Sequence, residues 1–505
     1  MKNPQDVEND IMISVGFLNT ALNGDTVEVK LGGINNYKQQ LAEVVRVIER
    51  KRNMFVCVID SKEGVLTAYP EDKKAYASIR LSPADITKVS IGDKVYVKME
   101  EWTNPKENPK GTIVRILGKK GDNNVEMESI VLERGFEVGF PAGVEKEADE
   151  IDKNKIADIA SEIPKRKDFR GTLTFTIDPF DAKDFDDAIS FKDLGTDKYE
   201  IGVHIADVSH YVIEGTALDK EALKRGCSIY LVDRTIPMLP EVLSNDVCSL
   251  NPHEDKLTFS AWFVMDDKGH IHERGFGKTI INSDHRFTYE DAQEVLNAKS
   301  GKYFNELNTL NTIAKILQKD KFSKGAIEFE TEEIKFKLDE NGKPIGVYKK
   351  ERLDTHKLVE EYMLLANREV AKHIFDSIKK KSKKDTGSIY RIHDLPDKDR
   401  MMELAIFVKA LGYNLPTKEG KVTAHDIKAL LKQIGGTPHE TLISTAVIRS
   451  MQKAVYSTKN IGHFGLAFEY YTHFTSPIRR YPDLLIQRIL QRHLHNEPFG
   501  DTEIV

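Results

Sequence analysis

Before residue 120 the chain is a succession of short β-patterned runs: "DTVEVKLGG", "AEVVRVIER", "NMFVCVID", "DKVYVKMEE" and "GTIVRILGK". Each alternates or is rich in β-branched residues, and turns rich in Gly, Asn, Asp and Lys separate them. This is the signature of small antiparallel barrels or sandwiches rather than of βαβ units. Two runs open alike, because "NGDTVEVKL" and "IGDKVYVKM" both place Gly-Asp before a Val-x-Val strand. The likeness predicts a weak duplication of one barrel type. The first copy, over 1–50, looks incomplete, since few residues precede its Gly-Asp, and the second spans 51–135.

A different pattern follows. The stretch "VEKEADEIDKNKIADIASEIPKRKDFRG" is acidic and then basic, and reads as a helix and linker over 136–165. From Gly171 onward, strand and helix patterns come in longer units. "GTLTFTID" has period two, and "YEIGVHIADVSHYV" sets Ile201, Val203 and Ile205 on one face. "KLTFSAWFVMDDKGHIHERGFGKTII" predicts a hairpin turning at "DDKG". The clearest helix is "THKLVEEYMLLANREVAKHIFDSI", with Leu358, Tyr362, Leu365 and Ala366 near one face. Further helices are expected in "KDRMMELAIFVKALG", "ETLISTAVIRSMQKAVYS" and "PDLLIQRILQRHLHN". The predicted class is α+β, with N-terminal barrels followed by a large mixed domain over 166–505.

Length and composition bound the rest. A chain of 505 residues exceeds one ordinary core and implies two to four domains. Its 74 Lys and Arg against 80 Asp and Glu give a formal charge of −6, which neither favours nor excludes nucleic acid. Cys57, Cys227 and Cys248 form no CxxC pair and no zinc-type cluster. No apolar run approaches the roughly 20 residues of a membrane span. The opening "MKNPQDVENDI" lacks the basic and apolar regions of a signal peptide, so a reducing cytoplasm is expected.

The most chemically loaded stretch is "TIDPFDAKDFDDAIS". Asp178 ends a strand, and Asp184, Asp186 and Asp187 follow six, eight and nine residues later. A loop can fold these side chains back onto Asp178. Carboxylates held together repel one another and lose solvation, which raises their pKa values unless cations neutralise them. Oxygen-only ligands favour magnesium or manganese over zinc. An acidic surface loop of turn-forming Asp residues is the plainer reading, but Phe185 and Ala188 interrupt the acidic run with apolar side chains. Calcium fits less well, because the Gly and terminal Glu of an EF-hand loop are missing.

A second stretch, "HFTSPIRRYPDLL", places Ser476-Pro477 at a turn, then Arg479 and Arg480, then Pro482. Adjacent arginines where a helix begins suit bidentate contact with phosphate, or else pair with acidic neighbours. In "HKLVEEYMLLAN", His356, Glu360, Met363 and Asn367 make a partly polar stripe that faces either a channel or solvent. Tyr230 follows a strand in "CSIYLVD" and could stack a base or sit in the core. The strand "SIYRIHD" carries Tyr390, Arg391 and His393, and "IKKKSKKD" is a basic run that touches a backbone or is simply solvated. Glycine spacings match neither GxGxxG nor the phosphate loop, and GxSxG and HExxH are absent, so ATP chemistry and serine hydrolysis have no support.

Five ordered motifs, "TIDPFDAKDFDDAIS", "VHIADVSHYV", "IPMLPEVLSNDVCSLNP", "VEEYMLLAN" and "IGHFGLAFEYYTHFTSPIRRYPDLL", together resemble the catalytic RNB domain of the ribonuclease II/ribonuclease R superfamily. The resemblance covers roughly residues 160–505, and the barrel-like regions before it resemble that family's cold-shock (OB-fold) domains. It implies a processive 3′-to-5′ exoribonuclease that uses magnesium, with manganese as an alternative, on single-stranded or 3′-tailed RNA and releases 5′-mononucleotides. No membrane or nucleotide cofactor is implied. The family's four metal-binding aspartates fall on Asp178, Asp184, Asp186 and Asp187, leaving Asp181 aside. Its catalytic arginine falls on Arg479, with Arg480 and Ser476 beside it as substrate contacts, and its stacking tyrosine falls on Tyr230. The family's final RNA-binding barrel has no counterpart here, so the domain over 166–505 is expected to be shortened at its C-terminal end. A non-catalytic RNA-binding scaffold and a metal-dependent DNase are the competing classes.

Overall fold

The computed structural model describes residues 11–495 and 497, except 36–38, 63, 328–332, 341, 382–386 and 418–421. The opening residues 1–10, the closing "GDTEIV" and residues 382–385 of the basic run 378–385 lie outside the described residues. The chain forms two compact units, Met1–Phe140 and Pro141–Val505.

In the first unit, Thr26–Ile34 and Gln40–Glu49 pair as a two-stranded antiparallel ribbon. A five-stranded sheet follows, in the order Val65–Pro70, Met54–Lys62, Asp93–Met99, Lys110–Lys119, Arg80–Leu81. Its inner face buries Phe55, Cys57, Ile59, Ala68, Ile79, Val95, Val97 and Met99. The two Gly-Asp pairs make the same local turn. Gly24 and Gly92 take φ of +94° and +84°, a region that L side chains avoid. Asp25 then accepts from the Leu22 amide at 2.8 Å, and Asp93 from the Ser90 amide at 2.7 Å. The strands they launch differ in setting, since the first lies in the ribbon and the second at the centre of the sheet. Helix Asn123–Glu133 lies outside the sheet, where Leu132 packs on Val56 and Tyr96.

The second unit begins with a 21-residue helix, Ala142–Glu162. The stretch read as helix and linker is therefore mostly helix. It is tied down along its length: Glu147 accepts from the Leu218 amide, Lys155 pairs with Asp246, and Asp158 bonds His210.

A seven-stranded sheet forms the body of this unit, in the order His285–Thr288, Thr174–Asp178, Asp187–Gly195, Lys198–Ala206, Asp255–Asp266, Ile271–Asn282, Lys167–Asp168. The hairpin turning at Asp266–Gly269 is present. Ile201, Val203 and Ile205 are fully buried on one face. The alternation in "GTLTFTID" does not separate buried from exposed faces, because Thr174 to Ile177 are all buried in an interior strand. Helices Tyr289–Ala298, Phe304–Ser323, Asp354–Lys381 and Tyr481–Leu494 share the sheet's core. Leu358, Tyr362, Leu365 and Ala366 all lie in that core, and the Tyr362 hydroxyl donates to the Leu310 carbonyl at 3.1 Å. Helices Lys398–Ala410, Ala424–Ile434 and Glu440–Ser450 surround a separate core of Met401, Leu404, Val408, Ile427, Leu430 and Ile443. Residues 455–457, read as the tail of a helix, instead pair with Tyr390–Ile392 as a short antiparallel sheet.

Candidate active site

Two neighbouring strands bring the acidic residues together. Thr174–Asp178 and Asp187–Gly195 pair antiparallel, so Asp178 closes one strand where Asp187 opens the next. The intervening loop is held from three directions. Ser249 Oγ donates to the Lys183 carbonyl at 2.8 Å and accepts from the Phe185 amide at 3.0 Å. The Leu250 amide donates to the Phe185 carbonyl, and the Phe185 ring is buried. Arg286 donates through one nitrogen to the carbonyls of Pro179, at 2.8 Å, and Phe180, at 2.7 Å. Its guanidinium also lies 5.0 Å from the centre of the Phe185 ring. Arg286 comes from the parallel neighbour strand, opposite Thr176. Sequence reading missed it, because nothing local marks an arginine in "DHRFTYED" as the clamp of a loop 106 residues earlier.

The electrostatics follow from crowding. Desolvation pushes Asp178 up to about 7, and the Asp186 and Asp184 charges add to it, while Arg286 opposes it. Desolvation and then Asp178 push Asp187 up to about 7, against Arg479 and Arg480. Asp186 is buried and raised to about 8, chiefly by desolvation, with Arg479 opposing. Asp178 Oδ2 and the neighbouring Thr176 Oγ1 are both buried without a well-formed hydrogen bond. Asp181 is exposed, apart from this group.

Residues almost 300 positions later complete the cluster. Asp186 accepts from the Ile478 amide at 2.9 Å and from Arg479 Nε at 3.2 Å. Buried Ser476 accepts from another Arg479 nitrogen at 2.8 Å. Asp483 accepts from the Ser476 amide at 2.8 Å and from Arg480 at 2.7 Å, at the start of helix Tyr481–Leu494. The sequence placed Ser476 and Arg480 among substrate contacts. Here Ser476 orients Arg479, and Arg480 is paired with a fully buried carboxylate.

The same loop grips the tyrosine segment. The Tyr481 amide donates to the Gly226 carbonyl and the Ser228 amide to the Arg479 carbonyl. Two residues on, Tyr230 is 55% exposed, and its hydroxyl donates to Asp184 Oδ2 at 3.3 Å.

The stripe on helix Asp354–Lys381 is not one continuous face. His356 stacks on Tyr289 at 4.0 Å, Glu360 pairs with Arg352, and Met363 packs on the core. Buried Asn367 accepts from the Phe474 amide at 2.7 Å and donates to Thr475 at 3.3 Å, so it anchors the segment leading into Ser476. The stripe divides because the helix is packed along its length against different partners.

Among the described residues, no three His, Cys, Asp or Glu side chains converge into a ready ligand cage. Asp186 is engaged by the arginine loop, which leaves Asp178, Asp184 and Asp187 as the remaining hard oxygen donors. Magnesium does not need a full cage, because one or two carboxylates suffice when substrate phosphates complete its shell. The orphaned oxygen of Asp178 and the strained ionisation of Asp178 and Asp187 fit such an ion.

Residues 166–496 match the RNB domain, and residues 69–141 match the cold shock domain. Ribonuclease R of Thermotoga maritima is 36% identical over 98% of this chain and 69% of its own length. The chain belongs to the RNB family. It therefore carries a cold-shock OB-fold domain followed by a mixed α+β RNB domain. Two solved structures of Mycoplasma genitalium RNase R are similar to it at 27% identity. The one in complex with ribose-methylated single-stranded RNA has a TM-score of 0.90, covering 99% of this chain and 78% of that one. The one with double-stranded RNA has a TM-score of 0.84, covering 97% and 84%. The RNB domain contains every residue of the site described above. Among the described residues, no helix is long and apolar enough to cross a membrane.

Proposed function

We propose that this chain is a 3′-to-5′ exoribonuclease that hydrolyses single-stranded or 3′-tailed RNA processively, with magnesium or manganese, and releases 5′-mononucleotides. One observation supports the reading above all: Asp186 joins the acidic loop to the arginine loop, so carboxylates and a guanidinium share one small volume. Membership of the RNB family, and the RNA held by the similar Mycoplasma genitalium RNase R structures, agree with it.

Asp178, Asp184 and Asp187 would hold the ion, with Asp186 adding charge from the second rank. When bound, a divalent ion lowers the pKa of an attacking water and offsets charge on the leaving oxygen. The remaining work falls to the chain itself. Arg479, oriented by Ser476 and Asp186, binds the scissile phosphate and the charge that grows on it. Tyr230 offers an exposed ring on which a base near the 3′ end stacks. Arg286 keeps the acidic loop closed.

The test is a time course on 5′-labelled, 3′-tailed RNA and on DNA of the same sequence, with magnesium or with EDTA. Mononucleotides released from RNA only, and with magnesium only, support the reading. Cleavage of DNA would point to a DNase, and RNA binding without turnover to a scaffold.

A further inference from the structure

One cationic cluster beside the site has no role in the chemistry above. On the two-stranded sheet of Tyr390–Ile392 and Val455–Ser457, Arg391 stands opposite Tyr456. The Arg391 guanidinium stacks on the Tyr456 ring, 4.7 Å from its centre. Tyr456 is 37% exposed, and its hydroxyl is hydrogen-bonded to His473 Nδ1 at 2.7 Å. The platform adjoins the arginine loop. Burial, then Arg480, Arg391, His463 and Arg479, hold His473 down at about 3, so it stays neutral among three arginines. Cys227, which is exposed, forms a β-bridge with Arg480 and lies near Tyr456, three residues before Tyr230.

The charges around this cluster do not balance. Arg479 faces Asp186, and Arg480 faces Asp483. Among the described residues, the Arg391 side chain has no carboxylate and no hydrogen bond, only the Tyr456 ring. A half-buried guanidinium on an aromatic face keeps its planar fork of donors free for an anion. The ring beneath it offers a stacking surface for a base.

We propose that Arg391, stacked on Tyr456 beside Arg480, is a second phosphate subsite of this chain, separate from Arg479, that takes the phosphate of a nucleotide. The inference rests on the exoribonuclease reading. Two sources share this chemistry: a non-scissile phosphate of the bound RNA chain, and the 5′-phosphate of the released mononucleotide.

The experiment uses the full chain in two arms. In the first, Asp186→Asn holds single-stranded RNA uncleaved, and its affinity is followed against salt concentration with Arg391, Arg391→Lys and Arg391→Gln. If Arg391 takes a chain phosphate, the log–log slope for Arg391→Gln becomes shallower by about 0.7, as expected for one lost contact on a single strand. In the second arm, nucleoside 5′-monophosphate inhibits RNA cleavage by the chain carrying Arg391 or Arg391→Gln. If Arg391 takes the released nucleotide, the inhibition constant rises roughly tenfold. Arg391→Lys retains part of either effect. An unchanged slope together with an unchanged inhibition constant overturns the subsite. So does a fall in melting temperature for Arg391→Gln with neither binding measure altered, which marks a purely structural stack. Failure of the native chain to cleave RNA defeats the exoribonuclease reading, while the salt slopes still report on Arg391.

Discussion

At the scale of single residues, Asp186 carries the most consequence. Its two oxygens meet the Ile478 amide and Arg479, so one carboxylate both joins the acidic group and fixes the arginine proposed to bind phosphate. Asp186→Asn keeps an acceptor for the amide but removes the charge that Arg479 faces. Turnover is expected to fall by roughly 100-fold or more while RNA binding stays measurable by filter retention. Wild-type turnover in that variant would refute the assignment. Arg286→Ala frees the carbonyls of Pro179 and Phe180 and lets the acidic loop shift. The expected loss is about 100-fold in kcat with a smaller change in KM, partly recovered in Arg286→Lys. Ionisation gives a third expectation. Asp178, Asp186 and Asp187 have folded-state pKa values raised to about 7, 8 and 7. Their unfolded values lie near 3.8, so above that pH the unfolded chain has lost protons that the folded chain keeps. In EDTA, the contribution of these three groups to stability is therefore fullest below about pH 4 and is lost as pH rises towards 8. Thermal melts across that range should show the decline, and magnesium should reduce it; a flat profile in EDTA would contradict the desolvated cluster.

At the scale of elements, the site is a meeting of three segments. The acidic loop, the arginine loop and the Tyr230 segment are joined by backbone pairing of 226–228 with 479–481 and by side-chain bonds to Asp184 and Asp186. Tyr230→Ala removes an exposed stacking ring without touching that pairing. The smallest end product should lengthen on a sequencing gel, and an unchanged ladder would remove Tyr230 from the substrate path. The elements differ in how far sequence revealed them. The hairpin at Asp266–Gly269 and helix Asp354–Lys381 were legible, because period and turn chemistry are local properties. Helix Ala424–Ile434 was not named from sequence, although Thr423 and Asp426 form a capping box at its start. The alternation in "TLTFTID" did not separate buried from exposed faces. A strand flanked by other strands and covered by helices buries threonine as readily as phenylalanine.

At the scale of the whole molecule, the two compact units divide after Phe140. Each has its own core, so a chain beginning at Pro141 should fold by itself. Its melting should stay cooperative, and magnesium-dependent cleavage of short RNA should persist. Affinity for long RNA should fall, since cold-shock barrels offer a separate nucleic-acid surface. Loss of all turnover on short RNA would show that the first unit takes part in the chemistry. The sequence by itself determined the order of an OB-fold region and a mixed α+β domain, and marked an acidic motif and an arginine motif as the chemically loaded stretches, while the choice of four aspartates over Asp181 was what the resemblance implied. The order and the two motifs are written in residue type, period and turn chemistry within local stretches of chain. Only the tertiary structure decided which aspartate faces the arginine, that Ser476 bonds Arg479 and Arg480 bonds Asp483, that Arg286 holds the loop's carbonyls, and that, among the described residues, Arg391 has no carboxylate partner. Such roles depend on desolvation and on contacts across roughly 100 to 300 residues, and a hydrogen bond at that separation leaves no periodic trace in sequence.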